Sequence, residues 1–106
     1  MKLKIDPNIF REYDIRGIAG KNLSPEFAEN LGLAYAKFIK HLMPVAGREK
    51  QCVAVGKDCR LSSDQYAEAL VNGLFRGGLD VIRLGTCPTP LTFFSLFHLD
   101  LDGAIW

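Results

Sequence analysis

Three short β-branched or aliphatic runs alternate with three stretches of helical periodicity along the 106-residue chain, and this alternation predicts an α/β domain of layered helices and strands. Glycine or proline stands at the junctions, at Pro44, Gly56, Gly77-Gly78, Gly85, Pro88 and Pro90, where each regular element is expected to stop or start. A hydrophobic content of 48% with 24% charge describes a folded globular chain, and its length supports one domain with one small core.

Met1 to Asn8 is a polar lead-in broken by Pro7, and the stretch Ile9 to Gly17 that follows is dense in charge. Arg11, Glu12, Asp14 and Arg16 cancel one another, with Tyr13 among them. A central strand seldom carries such a load, because buried charge is costly unless paired. An extended segment anchored by Phe10 and turning into a loop fits better, with Gly17 free to take a positive φ. Arg16 would then present a planar fork of donors suited to phosphate. A surface turn closed by a local Asp14–Arg16 pair is the competing reading.

Ile18 to Leu23 reads as a loop. Ser24-Pro25-Glu26 then opens a helix with a hydroxyl cap, a proline in the first turn and an acid at the positive end of the dipole. Phe27, Leu31, Ala34, Tyr35, Phe38, Ile39 and Leu42 recur at helical spacing, and Pro44 ends the helix. His41, with no acidic or cysteine neighbour, reads as a solvated helix-end residue rather than a ligand. Cys52-Val53-Ala54-Val55 is a buried strand bounded by Gly56. Lys57, Asp58 and Arg60 follow at its C-terminal end, the side of an open α/β sheet where ligands gather. They fit a cleft role or a turn tying the strand to the next helix. A nucleotide phosphate loop is excluded, because its glycine spacing is missing.

Ser62 with Gln65 has the pattern of a capping box, so Ser62 and Ser63 read as helix-start residues. Tyr66, Ala69, Leu70, Gly73 and Leu74 share one face, and close approach to the sheet is one reason for Gly73. Gly77-Gly78 ends this helix. Leu79 to Leu84 alternates as a strand closed by Gly85. Thr89 as cap and Pro90 at the first position start a third helix. Its residues Leu91 to Leu99 carry only Thr92, Ser95 and His98 as polar side chains, all in one stripe. That is too apolar for a helix with its back in water. Asp100 and Asp102 read as a solvated link rather than a metal pair. Gly103 to Trp106 begins a further strand, and the sequence stops inside it.

The net charge of +1 gives no general attraction to nucleic acid or anionic membrane, so any phosphate binding must be local. The sequence shows no apolar run near the length of a membrane span and no secretory pattern at Met1 to Lys4, so a cytoplasmic location is expected. Cys52, Cys59 and Cys87 are odd in number, lack metal-ligand spacing and suit reduced thiols, with Cys59 read as inert.

Phe10-Arg11-Glu12-Tyr13-Asp14-Ile15-Arg16-Gly17 resembles the N-terminal motif of the α-D-phosphohexomutases in their phosphomannomutase/phosphoglucomutase form. The likeness continues, in the family's order, through Val53 to Ser62, Gly85 to Pro90 and Asp102 to Ile105. It implies that residues 1–106 are the first, N-terminal domain, a three-layer α/β/α fold. The sheet would be mixed, of about four strands, and cut short in the last. It also implies an isomerase acting as an intramolecular phosphotransferase. In that family a phosphoserine exchanges its phosphoryl group with a hexose phosphate through a hexose 1,6-bisphosphate, with Mg2+ as cofactor.

By resemblance, Arg16 is the arginine that supports the phosphoserine, Tyr13 and Arg16 meet the sugar phosphate, and Lys57, Asp58 and Arg60 organise the cleft. The family's phosphoserine loop, Thr-x-Ser-His-Asn-Pro, follows the strand that starts here at Gly103. Ser24, Ser62, Ser63 and Ser95 do not match it, and the metal loop is also absent. Trp106 departs from the family's aliphatic residue. The expected partners are a sugar phosphate and the remaining domains of a parent enzyme, without nucleic acid or membrane. The isolated chain is expected to be inactive. A stand-alone, non-catalytic α/β module that binds a phosphate or another protein is the competing reading.

Overall fold

β1 (Cys52–Lys57) is the middle strand of the sheet, and the rest of the fold is arranged on its two faces. The structure, a computed structural model, describes residues 3–12, 14–42, 51–99 and 101–106. Around β1 are α1 (Pro25–Leu42), α2 (Ser63–Arg76), β2 (Asp80–Thr86), α3 (Thr89–His98) and β3 (Gly103–Ile105). The sheet order is β2-β1-β3, and both pairings are parallel. The strand alternates as a pleat must. Val53 and Val55 join Ala36, Ile39, Leu70, Val71, Leu74 and Leu79 in the core under α1 and α2. Gly56 faces Thr92 of α3 on the other side.

The α/β/α layering agrees with the expectation, but the sheet is smaller and simpler than about four mixed strands. Among the described residues it has three strands, all parallel. The opening segment adds no strand because it bonds to itself: an isolated antiparallel bridge joins Phe10 to Ile15. The Arg11 N–H donates to the Asp14 carbonyl and the Arg16 N–H to the Ile9 carbonyl, both at 2.8 Å.

α1 starts as its sequence dictates. Pro25 is its first residue, and the Ser24 hydroxyl accepts the Phe27 N–H at 3.1 Å. The buried stripe is rotated from the expected one. Ala34 and Phe38 are exposed, whereas Gly32 and Ala36 are buried. The cause is the crossing with α2, which runs through small residues. A Cβ on Gly73 would collide with the Glu29 carbonyl, and one on Gly32 would meet the Leu74 nitrogen at 2.8 Å. Gly73 therefore serves close approach to α1, not to the sheet. His41 is exposed in the last turn of α1, and Pro44 lies outside the described residues.

Two other helix starts differ from expectation. Ser62 already has helical backbone angles, φ −82° and ψ −14°, and its side chain caps nothing, because a capping side chain needs an extended backbone behind it. α3 begins at Thr89 with Pro88 as its cap residue, one residue earlier than expected. β2 runs one residue past Gly85, where the register slips by one against Val55 and Gly56. Gly85 takes φ +76° there, a bulge geometry that glycine tolerates without strain. Asp102 is not a solvated carboxylate. Its Oδ2 accepts the Cys52 N–H and its own N–H donates to the Cys52 carbonyl, each at 2.8 Å, fixing β3 beside β1.

Candidate functional site

The charged opening loop is held in shape by its short polar residues. Ile9, fully buried, is its anchor. Phe10, expected in that role, is about half exposed and meets Phe27 edge-on with ring centroids 6.5 Å apart. The Asp6 carboxylate accepts the Asn8 N–H at 2.9 Å, and this bond chiefly holds its pKa below the usual carboxylate range. Asn22 reaches the other Asp6 oxygen through its amide nitrogen, while its own oxygen accepts the Ile18 N–H. Gly20 takes the positive φ of the turn, +79°. Gly17 does not. Its missing Cβ makes room for Asn22 and Leu23 instead.

Tyr66 fastens this loop to α2. Its hydroxyl donates to the Leu23 carbonyl at 3.0 Å and accepts the Gly20 N–H at 3.2 Å. Sequence reasoning assigned Tyr66 only to a helix face. The signal lay in its place one turn into α2, opposite a glycine loop, which the sequence does not connect.

Arg16 is three-quarters exposed, and its Nε–H donates to the Asp14 carboxylate at 2.9 Å. Its two terminal nitrogens meet no partner among the described residues, so the outer edge of the fork is available to an anion. Arg11, Glu12, Asp14 and Arg16 line a shallow concavity together. Tyr13 lies outside the described residues.

Lys57, Asp58 and Arg60 stand at the C-terminal end of β1, but each is tied locally. Asp58 accepts the Ser63 hydroxyl and the Arg60 N–H, and pairs with the Arg60 side chain at 3.2 Å. The Ser63 hydroxyl is the leading cause, and the Arg60 N–H the next, of an Asp58 pKa below the usual range. Lys57 pairs with Asp64. The ties from this segment to α2 are made by Asp58 and Lys57, while Arg60 closes the turn on Asp58. The same segment also walls a cavity of about 250 Å³ between the starts of α1 and α2 and the ends of β1 and β3, lined by Leu23, Phe27, Lys57, Asp58, Tyr66 and Trp106 among others.

Leu23 and Ser24, which lead from the opening segment into α1, share the cavity wall with Lys57 and Asp58 at the end of β1. Arg16, Lys57 and Arg60 each have their own carboxylate: Asp14, Asp64 and Asp58 respectively. Among the described residues, no group of three or more His, Cys, Asp or Glu is placed to hold a metal ion. Nor is any helix long and apolar enough to cross a membrane. Cys59 is an exposed free thiol, and Cys87 a buried one.

Comparison with known proteins gives a consistent relation. A family model described as phosphoglucomutase/phosphomannomutase, alpha/beta/alpha domain I, matches residues 7–106. The phosphoglucomutase/phosphomannomutase of Thermococcus kodakarensis is 38% identical over 95 residues, covering 90% of this chain and 20% of the relative. The phosphomannomutase of Vibrio cholerae is 38% identical over 96 residues, covering 91% and 20%. A crystal structure of a phosphoglucomutase/phosphomannomutase family protein from Burkholderia thailandensis superposes with a TM-score of 0.77 at 35% identity, over 87% of this chain and 19% of that one. The chain thus spans about a fifth of the length of these relatives. An α/β/α layering on a parallel three-stranded sheet and a family match over nearly its whole length together show that this chain belongs to the phosphoglucomutase/phosphomannomutase family, as its domain I.

Proposed function

We propose that this chain is the N-terminal domain of a mutase that interconverts hexose 1- and 6-phosphates, and that its part is to present Arg16 and Tyr13 to a phosphoryl group. The observation that carries this reading is Arg16 itself. It closes the Phe-Arg-Glu-Tyr-Asp-Ile-Arg-Gly segment, projects from a loop fastened at both ends, and has no partner among the described residues on the outer half of its guanidinium. Phosphoryl transfer depends on positioning and on neutralising charge on the transferring oxygens. A bidentate guanidinium on a pre-shaped loop supplies both. Asp14 holds Nε and so orients the fork, while Asp58 and Ser63 shape the end of β1 that walls the neighbouring cavity.

The nucleophile belongs to the part of the proposed enzyme outside these residues. Ser24 is engaged as a helix cap, Ser63 with Asp58, and Ser95 with the Thr92 carbonyl, and none of these, nor Ser62, stands in a Thr-x-Ser-His-Asn-Pro sequence. Among the described residues no group of three or more His, Cys, Asp or Glu gathers at one place. Mg2+ and the hexose 1,6-bisphosphate therefore enter the proposal with the remaining domains, in a cytoplasmic enzyme carrying a phosphoserine.

The test joins residues 1–106 to the polypeptide that follows the equivalent domain in the Thermococcus kodakarensis relative. Interconversion of glucose or mannose 1- and 6-phosphates is expected from the joined protein, with Mg2+ and a hexose bisphosphate activator, and none from the 106-residue chain alone. A correctly folded joined protein without turnover would overturn the reading, as would turnover by the chain alone.

A further inference from the structure

α3 is packed inside out. Its two most buried residues are polar, Thr92 at 0% and Ser95 at 5% exposure. Its opposite arc is mostly apolar and open, with Phe93 49%, Phe94 56%, Phe97 87% and Leu91 48% exposed. The inward face has a local reason. Gly56 has no side chain, so β1 comes close, and only a small residue such as Thr92 fits against it. The polar groups satisfy one another there. Ser95 Oγ donates to the Thr92 carbonyl at 2.5 Å, and the Thr92 hydroxyl contacts Cys87 Sγ at 3.4 Å. The outward face has no such reason. At helical spacing Phe93, Phe97, Pro90, Phe94 and Leu91 form one arc centred opposite Thr92, broken only by His98, whose ring stacks on Phe94 with centroids 5.6 Å apart; the arc is larger and more aromatic than a helix facing water carries.

The same side of the sheet is open beside α3. Ile82 of β2 pairs with Ala54 and is 38% exposed, because α3 lies mainly over β1 and β3. Trp106 at the end of β3 donates its Nε1–H to the Cys87 carbonyl at 2.9 Å, two residues before α3 begins. Polypeptide continuing from β3 would thus emerge at the start of α3, next to the open arc.

We infer that the outer arc of α3 is an internal docking surface, covered by the polypeptide that in the relatives follows this domain, and not by a second copy of the chain. This rests on the proposed reading that further domains follow. The occupant is argued from two facts: the relatives are about five times as long as the stretch matched here, and the end of β3 lies against the helix. The covering segment would present an apolar, aromatic-accepting face to Phe93, Phe94 and Phe97.

Thiol labelling at position 97 tests it. Phe97→Cys is placed in a Cys59→Ser background, which removes the exposed native thiol, and Lys37→Cys serves as the exposed control on α1. In the 106-residue chain both positions should label at the rate of a free thiol, independent of protein concentration. In the protein joined to the Thermococcus kodakarensis remainder, position 97 should label at least tenfold more slowly and position 37 unchanged. Equal rates at position 97 in the two proteins would overturn the inference. So would slow, concentration-dependent labelling in the isolated chain, which would assign the arc to a second copy. Should the joined protein fold poorly, the isolated chain still decides. It must be monomeric and bind an apolar dye that Phe93→Ser with Phe97→Ser releases, and a stable dimer through α3 sinks the idea. Mutase turnover in the joined protein is read separately, so loss of activity with position 97 protected counts against the proposed function alone.

Discussion

The layer under α1 and α2 and the rim formed by the opening loop and the end of β1 are adjacent, yet they are stabilised by different means. In the layer, Ala36, Val53, Leu74 and Leu79 are essentially removed from water, and two glycines let the helices meet backbone to backbone. At the rim, Arg16, Arg60 and Asp64 are exposed and each is paired with a near neighbour. Apolar burial contributes most of a domain's stability, while exposed ion pairs contribute little. The difference teaches that the layer holds the fold, while the rim can vary with little cost to it, as the proposed recognition role requires. Mutations can be used to separate the two.

The largest effect should come from the layer. Leu74→Ala is expected to lose about 2–5 kcal/mol of unfolding free energy, since its side chain is fully buried between helix and sheet. Urea denaturation measures it, and a loss under half a kcal/mol would mean the layer is not the core. Next is Gly73→Ala. Helix propensity alone favours alanine by roughly 1 kcal/mol, but the added methyl would strike the Glu29 carbonyl. The net should be a loss of about 1–3 kcal/mol, the usual size of overpacking, and a gain would break the claimed close crossing.

Tyr66→Phe probes the seam between the regions. It removes the hydroxyl that holds Leu23 and Gly20 and should cost on the order of 0.5–1.5 kcal/mol, as one hydrogen-bonding group does. Faster hydrogen exchange at the Gly20 amide should accompany it. Unchanged exchange would show that the loop is held without α2.

How much of this was legible in the sequence follows the same division. Strands and helices came through because Val53, Val55, Leu70 and Leu74 carry the period of their elements, and because Ser24-Pro25 is a local signal whose partner lies three residues away. The rotation of α1 and the purpose of Gly73 did not. Both depend on where another helix crosses, a distance that no local pattern encodes. The rim was legible as chemistry but not as geometry. The charges of Arg11 to Arg16 marked a loop, yet that Asn22 and Tyr66 fix it, and that Ser63 turns to Asp58 instead of capping α2, are contacts between segments.

The smallest effects are in pH. Burial raises the Tyr35 pKa, and a backbone hydrogen bond with Ala104 partly opposes this. A raised folded pKa means stability is complete below the ordinary tyrosine value of 10.0 and declines as pH rises from there through the folded value. Tyr35→Phe should flatten that alkaline decline. At the rim the sign reverses. The lowered Asp58 pKa gives stability that is present above the ordinary carboxylate range and is lost as pH falls through the folded value. Asp58→Asn should flatten the acid limb and leave the alkaline one alone. Thermal melts across pH check both, and an exchange of the two limbs would contradict the assignment.

The most direct test of the division between fold and recognition is Arg16→Ala in the protein joined to the Thermococcus kodakarensis remainder, with kcat at saturating glucose 1-phosphate and unfolding free energy measured together. The account predicts a fall in kcat on the order of a hundredfold, the usual loss for a positioned donor to a transferring group. The stability change should stay within about 0.5 kcal/mol, as for an exposed side chain. Arg16→Lys should restore turnover only in part, because an ammonium lacks the bidentate fork. Near-normal kcat in Arg16→Ala, or a loss of activity matched by a loss of stability, would contradict it and return Arg16 to the structural pair it makes with Asp14.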